Sequence, residues 1–346
     1  MREHAGVGGP GILLGLAAQP AHPRMSVLVV RPSSLGDVVY ALAVVSDIAR
    51  HRPGTAIDWV AERGFTPLVA LDARVRTIVP LALRRWRRAP LSPASWRDAR
   101  AFLRTLRAER YDVVLDLQEQ LKGALVARIA RGVRHGFDRD SVREPLATLF
   151  DDVHHRVARD LHFVHRVRLL AAAALGYELD TPPQWQLRAP PQPAAILDRR
   201  YAVALTATSR ADKRWPPSHW RPLLARLAQA GLAVVLPWGS EAERRDSQAL
   251  AADAPSAIVP PWLSMADAAG VLARAELCVG VDTGFTHLAA ALGTPTVAIF
   301  TATDVGRHGV ACTGAHARDV GDAGIVPDVD EAMRAAADVW RPTPRC

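Results

Sequence analysis

Four stretches of the chain carry residues whose types and spacing suit chemistry. In Ser33-Ser-Leu-Gly-Asp37 a carboxylate follows a short β-branched run, Val27 to Val30, at the mouth of a helix continuing through Val38, Leu42 and Ile48. The unpaired N–H groups and partial positive charge at such a helix mouth suit a ligand, or Asp37 simply caps its helix. In Thr206-Ala-Thr-Ser-Arg-Ala-Asp-Lys-Arg-Trp-Pro216, Thr208 and Ser209 end a strand and Lys213 follows. Hydroxyl donors beside an ammonium suit a diphosphate, although an exposed polar loop has the same look. In Gly280-Val-Asp-Thr-Gly-Phe-Thr-His287, Asp282, Thr283 and Gly284 form a strand-to-helix turn whose N–H groups suit phosphate. His287 lies one turn into that helix, where a packing role is equally consistent. Arg84-Arg-Trp-Arg-Arg88 sets four guanidiniums and an indole in five residues. The cluster is either solvated surface or a fork-shaped receiver for phosphates and carboxylates.

Other chemistries lose their support. The chain has no GxxxxGK[ST] and no GxGxxG after a strand, which argues against a P-loop ATPase or an NAD dehydrogenase. His154, His155, His162 and His165 are close in sequence but lack HExxH spacing, so packed or solvated histidines are expected and no metal site. The charge of 43 basic against 35 acidic residues, +8, suits anionic partners. No nucleic-acid motif accompanies it. Lysine occurs only at Lys122 and Lys213. Cys278, Cys312 and Cys346 show neither zinc spacing nor a paired framework, which points to a reducing compartment. No apolar run approaches the ~18 residues of a membrane span.

Elements that could position these residues alternate in type. Strands are expected over 56–60, 75–79 and 111–117, with helices over 94–108, 121–130 and 157–175. Thr181 to Pro193 holds five prolines in thirteen residues and reads as a linker. The alternation then restarts: strands over 201–205, 233–236, 257–259, 277–281 and 296–300, and helices over 218–230, 241–252, 264–274 and 285–292. A last helix is expected over about 329–340. This pattern implies α/β architecture, two doubly wound parallel sheets with a cleft between them. The expected boundaries are a tail at 1–24 outside the fold, with Met25 as an alternative start of translation, a first domain at 25–180, a linker at 181–195, a second domain at 196–328, and a C-terminal helix and tail at 329–346.

With these pieces placed, the sequence resembles the lipopolysaccharide heptosyltransferases, glycosyltransferase family nine, from Met25 nearly to the C-terminus. The resemblance rests on Ser33-Ser-Leu-Gly-Asp37, Arg84-Arg-Trp-Arg-Arg88, Arg143-Glu-Pro-Leu-Ala147, Asp212-Lys-Arg-Trp-Pro216, Leu236-Pro-Trp-Gly239 and Val281-Asp-Thr-Gly284 with His287. It implies a GT-B enzyme, two Rossmann-like domains facing across a cleft. Such an enzyme moves L-glycero-D-manno-heptose from ADP-heptose to a Kdo residue of Kdo-lipid A, with inversion. By the resemblance Asp37 is the general base, and Thr208, Ser209, Lys213, Asp282, Thr283, Gly284 and His287 bind the donor. Glu243 matches the residue that holds the ribose, and Leu263 keeps an apolar wall where the family often has Met against adenine. Ser34, Gly36, Arg84, Arg85, Arg87, Arg88 and Arg143 fall on the acceptor side.

The Arg cluster and the Arg143-Glu-Pro match favour addition of the first heptose over a later one. A UDP-sugar epimerase and a non-catalytic basic protein binding nucleic acid or membrane are the rival classes. No cofactor or metal is expected, and a monomer on the cytosolic face of the inner membrane is. One departure stands out: where the family commonly has Asp-x-Gln-Gly, this chain has Asp116-Leu-Gln-Glu119.

Overall fold

The computed structural model describes residues 25–191 and 199–341. The expected tail at 1–24, part of the expected linker at 192–195 and the last residues from 342 lie outside the described residues. Six parallel strands form the first sheet: β1 (Ser26–Val30), β2 (Ala56–Glu62), β3 (Val75–Leu81), β4 (Arg110–Asp116), β5 (Arg131–Phe137) and β6 (Val153–His155). Their order is β3-β2-β1-β4-β5-β6. Its helices are α1 (Leu35–Ala41), α2 (Ala43–His51), α3 (Thr66–Val69), α4 (Leu83–Arg88), α5 (Pro93–Ala108), α6 (Leu121–Ile129) and α7 (Phe163–Leu175).

The second sheet repeats the plan with β7 (Tyr201–Leu205), β8 (Ala233–Val235), β9 (Ala257–Ile258), β10 (Leu277–Val281), β11 (Thr296–Phe300) and β12 (Ala317–Gly321). Its order, β12-β11-β10-β7-β8-β9, is again 3-2-1-4-5-6 when each domain is counted by itself. Its helices are α8 (Pro217–Gln229), α9 (Glu241–Ala251), α10 (Met265–Arg274), α11 (Gly284–Ala291), α12 (Val305–His308) and α13 (Val329–Val339). The two doubly wound sheets of the expected GT-B architecture are present. Strand order reverses between β1 and β4 and between β7 and β10, the crevices where such sheets bind ligands.

Alternation along β1 shows how the layers form. Val27 and Val29 join one apolar cluster with α1, α2 and α7, while Leu28 and Val30 join another with Phe102 and Leu106 of α5 and Val126 of α6. Successive strand residues point to opposite faces, so both faces of the sheet are covered. The first cluster continues into the second domain through Val203, Ala269 and Leu288. Residues 181–191 run extended along both domains: Trp185 Nε1 donates to Val39 O at 2.7 Å, and Pro190 O accepts from Arg274 Nη1 at 2.6 Å. Helix α13 packs Ala332, Ala335 and Ala336 into the second domain's core.

Some elements differ from expectation. Strands β5, β6 and β12 carry Arg131, Arg134, His135, His154, Arg318 and Asp319, a composition without a strand's apolar alternation. They form because they lie toward the sheet edges, where charged side chains reach water. The helix expected over 157–175 begins at Phe163, because the His162 ring accepts from Val164 N at 3.3 Å and caps it there. The first helix starts at Leu35 rather than near Asp37, with Ser34 as its N-cap.

Helix α7 is held to α2 by charge. Arg168 Nε and Nη2 donate to Asp47 Oδ2 and Oδ1 at 2.8 and 2.9 Å, and both residues are buried. Arg168→Leu strands the Asp47 carboxylate, and the unfolding free energy in urea is expected to fall by about 3–5 kcal/mol.

Candidate functional site

The first site forms where β1 runs into α1. Ser34 caps the helix and Asp37 occupies the third helical position. Ser34 N and Ser34 Oγ each donate to Asp37 Oδ2 at 2.9 Å, and Arg31 Nη2 reaches the same oxygen at 2.8 Å. No described residue donates a hydrogen bond to Oδ1. Capping therefore uses one oxygen of the carboxylate and leaves the other without a donor among the described residues. Partial burial pushes the Asp37 carboxyl up, but the Arg31 charge and the Ser34 hydrogen bonds outweigh it and hold it at about 2.

Arg31 is buried under the ring of Phe163, 4.7 Å from its centroid, and also donates to Leu117 O. Around it, Ser33 N donates to Gln118 Oε1 at 3.2 Å and Lys122 Nζ to Ser33 Oγ at 2.9 Å. The departure at Glu119 has a physical basis: its φ is +59°, in the left-handed region that glycine occupies freely. Here Glu119 is held by Arg166 Nη1, at 2.8 Å from Oε1 and 3.0 Å from Oε2, and both residues are buried.

The second site centres on Asp282, at the end of β10. Lys213 Nζ and Thr303 Oγ1 each donate to Asp282 Oδ2 at 2.6 Å, His287 Nε2 lies 3.2 Å from Oδ1, and Thr208 Oγ1 donates to Asp282 O at 3.3 Å. Burial raises the Asp282 carboxyl, yet His287, Lys213 and Thr303 together pull it well below the usual range. Lys213 is thus already paired with a carboxylate rather than standing alone in a polar loop. A cavity of 640 Å³ opens beside this hub, lined by Thr208, Ser209, Glu243, Leu263, Thr283 and, from the first domain, Arg63. Glu243 repeats the arrangement of Asp37: it caps α9 through Oε2, which accepts from Gly239 N at 2.7 Å and Ser240 N at 3.1 Å.

The two sites meet across the domain boundary. A Cβ on Gly36 would sit 2.9 Å from His287 Cδ2, and one on Gly284 would sit 2.8 Å from Gly36 N. The missing side chains let the N-terminal turns of α1 and α11 touch, which puts Gly36 in the interdomain contact. Tyr40 OH lies 2.8 Å from His287 Nδ1 and donates to His308 O at 2.5 Å. His162 Nε2 lies 2.9 Å from Gly309 O, a further bond between the domains.

The remaining expected residues fall elsewhere. Trp86 turns inward against Phe102, 5.7 Å between ring centroids, so the indole is a core anchor and not part of a receiver. Arg85 pairs with Asp98 at 3.0 Å, and Arg84 lies over Phe65, 5.7 Å from its centroid. Arg87 and Arg88 are exposed and make no ion pair among the described residues. Arg143 is exposed on the loop that Glu144 N ties to Glu119 O at 3.2 Å. Three of the four histidines are engaged separately: His154 lies 2.8 Å from Thr148 O, His155 stacks on His135, and His162 bridges the domains. No local motif marks Arg31, Tyr40 or Thr303, since folding alone brings them to the sites; Lys122 had only its rarity as a signal.

Two Rossmann-like domains with their switch-point loops facing across a shared cleft define the GT-B class of glycosyltransferase. Within it, the chain belongs to glycosyltransferase family 9 (heptosyltransferase), whose model matches residues 99–323. It is 41% identical over 295 residues to lipopolysaccharide heptosyltransferase 1 of Escherichia coli K12, covering 82% of this chain and 90% of that protein. The Pseudomonas aeruginosa protein of that name is 42% identical over 296 residues, covering 85% and 82%. The structure of E. coli heptosyltransferase WaaC with ADP superposes with a TM-score of 0.81 at 36% identity, covering 90% of this chain and 98% of that one. WaaC with ADP-2-deoxy-2-fluoro heptose gives 0.76, covering 91% and 97%.

Tyr40→Phe removes the hydroxyl that joins α1 to His287 and leaves a buried ring nitrogen without its partner. The unfolding free energy is expected to fall by about 1–3 kcal/mol in chemical denaturation.

Proposed function

We propose that this chain transfers L-glycero-D-manno-heptose from ADP-heptose to a Kdo residue of Kdo-lipid A, inverting the anomeric centre, as the first heptose addition of the lipopolysaccharide inner core. One observation carries the reading: the unengaged Asp37 Oδ1 lies across the α1–α11 contact from the Asp282, His287 and Lys213 hub. Relatives named lipopolysaccharide heptosyltransferase 1, and WaaC bound to ADP and to a fluorinated ADP-heptose, support the donor and the acceptor class.

In this mechanism the heptose sits between the domains. Thr208, Ser209, Thr283 and Gly284 hold the diphosphate, Glu243 the ribose through Oε1, and Leu263 the adenine. Ser34, Lys122 and the guanidiniums of Arg84, Arg85, Arg87, Arg88 and Arg143 receive the anionic acceptor. Asp37 Oδ1 takes the proton of the attacking hydroxyl. A carboxylate with its pKa at about 2 is too weak a base to ionise a resting sugar hydroxyl. It accepts the proton as the new C–O bond forms and the hydroxyl becomes acidic. Charge developing on departing ADP is met by Lys213, His287 and the N–H groups opening α11, so the reading requires no metal ion. This reading sets base and leaving group on opposite sides of the anomeric carbon, the arrangement that single displacement with inversion demands. Every residue given a role in this reading comes from one chain, so the reading needs only a monomer. The acceptor is a lipid, which places the enzyme at the cytosolic face of the inner membrane.

Product analysis with ADP-heptose and either Kdo-lipid A or heptosylated core tests the assignment. Heptose on Kdo-lipid A is expected; transfer to heptosylated core alone would overturn it. Asp37→Ala should keep ADP-heptose binding by calorimetry but lose turnover by about two orders of magnitude. The pH dependence follows from Arg31. The Asp37 carboxyl is depressed, so it stays ionised above about pH 4 and kcat/KM shows no acid limb from it there. Arg31→Gln removes the charge that opposes burial, the carboxyl rises, and an acid limb is expected to enter the measurable range.

A further inference from the structure

The chain's positive charge is not spread over it. Residues 83–108 hold eight arginines and a single acid, Asp98, for a net +7 out of a chain total of +8. This segment is α4, its following loop and α5. Asp98 is itself paired with Arg63 and Arg85. Helix α5 turns Phe102 and Leu106 into the sheet. On the adjacent stripe Trp96, Arg100, Leu103 and Arg107 follow one another at helical spacing and are exposed. Leu91, on the loop before α5, is 87% exposed and Trp96 is 55% exposed.

The apolar surface extends beyond α5. Helix α6 packs beside it and exposes Leu125, and the turn Pro145–Phe150 packs on α6 and exposes Leu146 and Leu149. Helices α4, α5 and α6 form the outer layer of the first domain, on the sheet face opposite α1, α2 and α7; the turn Pro145–Phe150, whose Ala147 and Phe150 join the α7-side cluster, only borders that layer at α6. An arginine-dense surface studded with an exposed indole and leucines is the composition of a face that lies in a bilayer interface. Guanidiniums meet anionic headgroups while the indole and leucines enter the acyl boundary. A soluble polyanion would satisfy the arginines but leave Leu91, Trp96, Leu103 and Leu125 in water.

We propose that this outer layer, centred on Leu91, Trp96 and α5, is a docking surface for an anionic lipid bilayer. The inference rests on the reading of a lipid acceptor and adds the face that meets the membrane. Docking there brings Arg87 and Arg88 of α4, at the edge of the same layer, down to the headgroup plane where a lipid-anchored sugar emerges.

Co-sedimentation of the full chain with vesicles rich in phosphatidylglycerol, and with phosphatidylcholine vesicles, tests the proposal without any acceptor present. Binding only to the anionic vesicles, weakened by salt, is expected. The Leu91→Asp, Trp96→Asp double variant and, separately, Arg100→Gln with Arg104→Gln should each lower partition at least about tenfold. Both should turn over a deacylated, water-soluble acceptor at the unaltered rate, which also shows that they fold. Absence of binding by the parent chain, or unchanged binding by both variants, overturns the docking face. Failure to turn over the soluble acceptor in the parent chain overturns the catalytic reading instead, leaving the vesicle result to stand or fall alone.

Discussion

The contact on which the site depends is the one between the N-terminal turns of α1 and α11. Each helix follows the first or fourth strand of its own sheet, so each begins at a switch point, and the two switch points press together. Gly36 and Gly284 make the approach possible because any side chain at either would drive backbone or the His287 ring away. The Tyr40–His287–Asp282 chain of polar contacts then ties the first domain's helix to the second domain's hub. Two positive helix termini aimed at one cleft make it favourable for an anionic ligand before any side-chain charge is counted.

Two carboxylates, Asp37 in the first domain and Glu243 in the second, are held in the same way. Each occupies the third position of its helix and gives one oxygen to the cap. The cap fixes the carboxylate's orientation, so the other oxygen is held without the entropy of a free side chain. Arg31 adds a further constraint on Asp37, at the expense of basicity. The outcome is a carboxylate that stays ionised and held in one orientation.

The supporting shell uses buried ion pairs on one helix. Arg166 and Arg168 of α7 hold Glu119 and Asp47, and Phe163 at the start of α7 covers Arg31. The Glu119 pair explains how a non-glycine residue occupies a left-handed position beside Gln118 and Ser33: the buried guanidinium compensates a conformation that disfavours a side chain. A locally unfavourable residue is thus tolerated through a partner 47 positions away.

Much was legible in the chain alone. Alternating apolar strands and amphipathic helices announced two doubly wound domains, because a strand buried on both faces must be apolar throughout its length. The strand-to-helix turns holding Asp37, Lys213 and Asp282 were legible because capping and turn chemistry is local. Strands β5, β6 and β12 were not, since edge strands with charged residues have no local pattern to distinguish them from loops. Neither was the inward turn of Trp86, which depends on Phe102 being in reach, nor the roles of Arg31, Tyr40 and Thr303. Residue type and near neighbours determine where a carboxylate can cap and where a backbone can turn. Which oxygen stays free, which cation depresses it and which tyrosine crosses to the other domain are decided by contacts such as that of Tyr40 with His308, 268 positions apart, and only tertiary packing creates those.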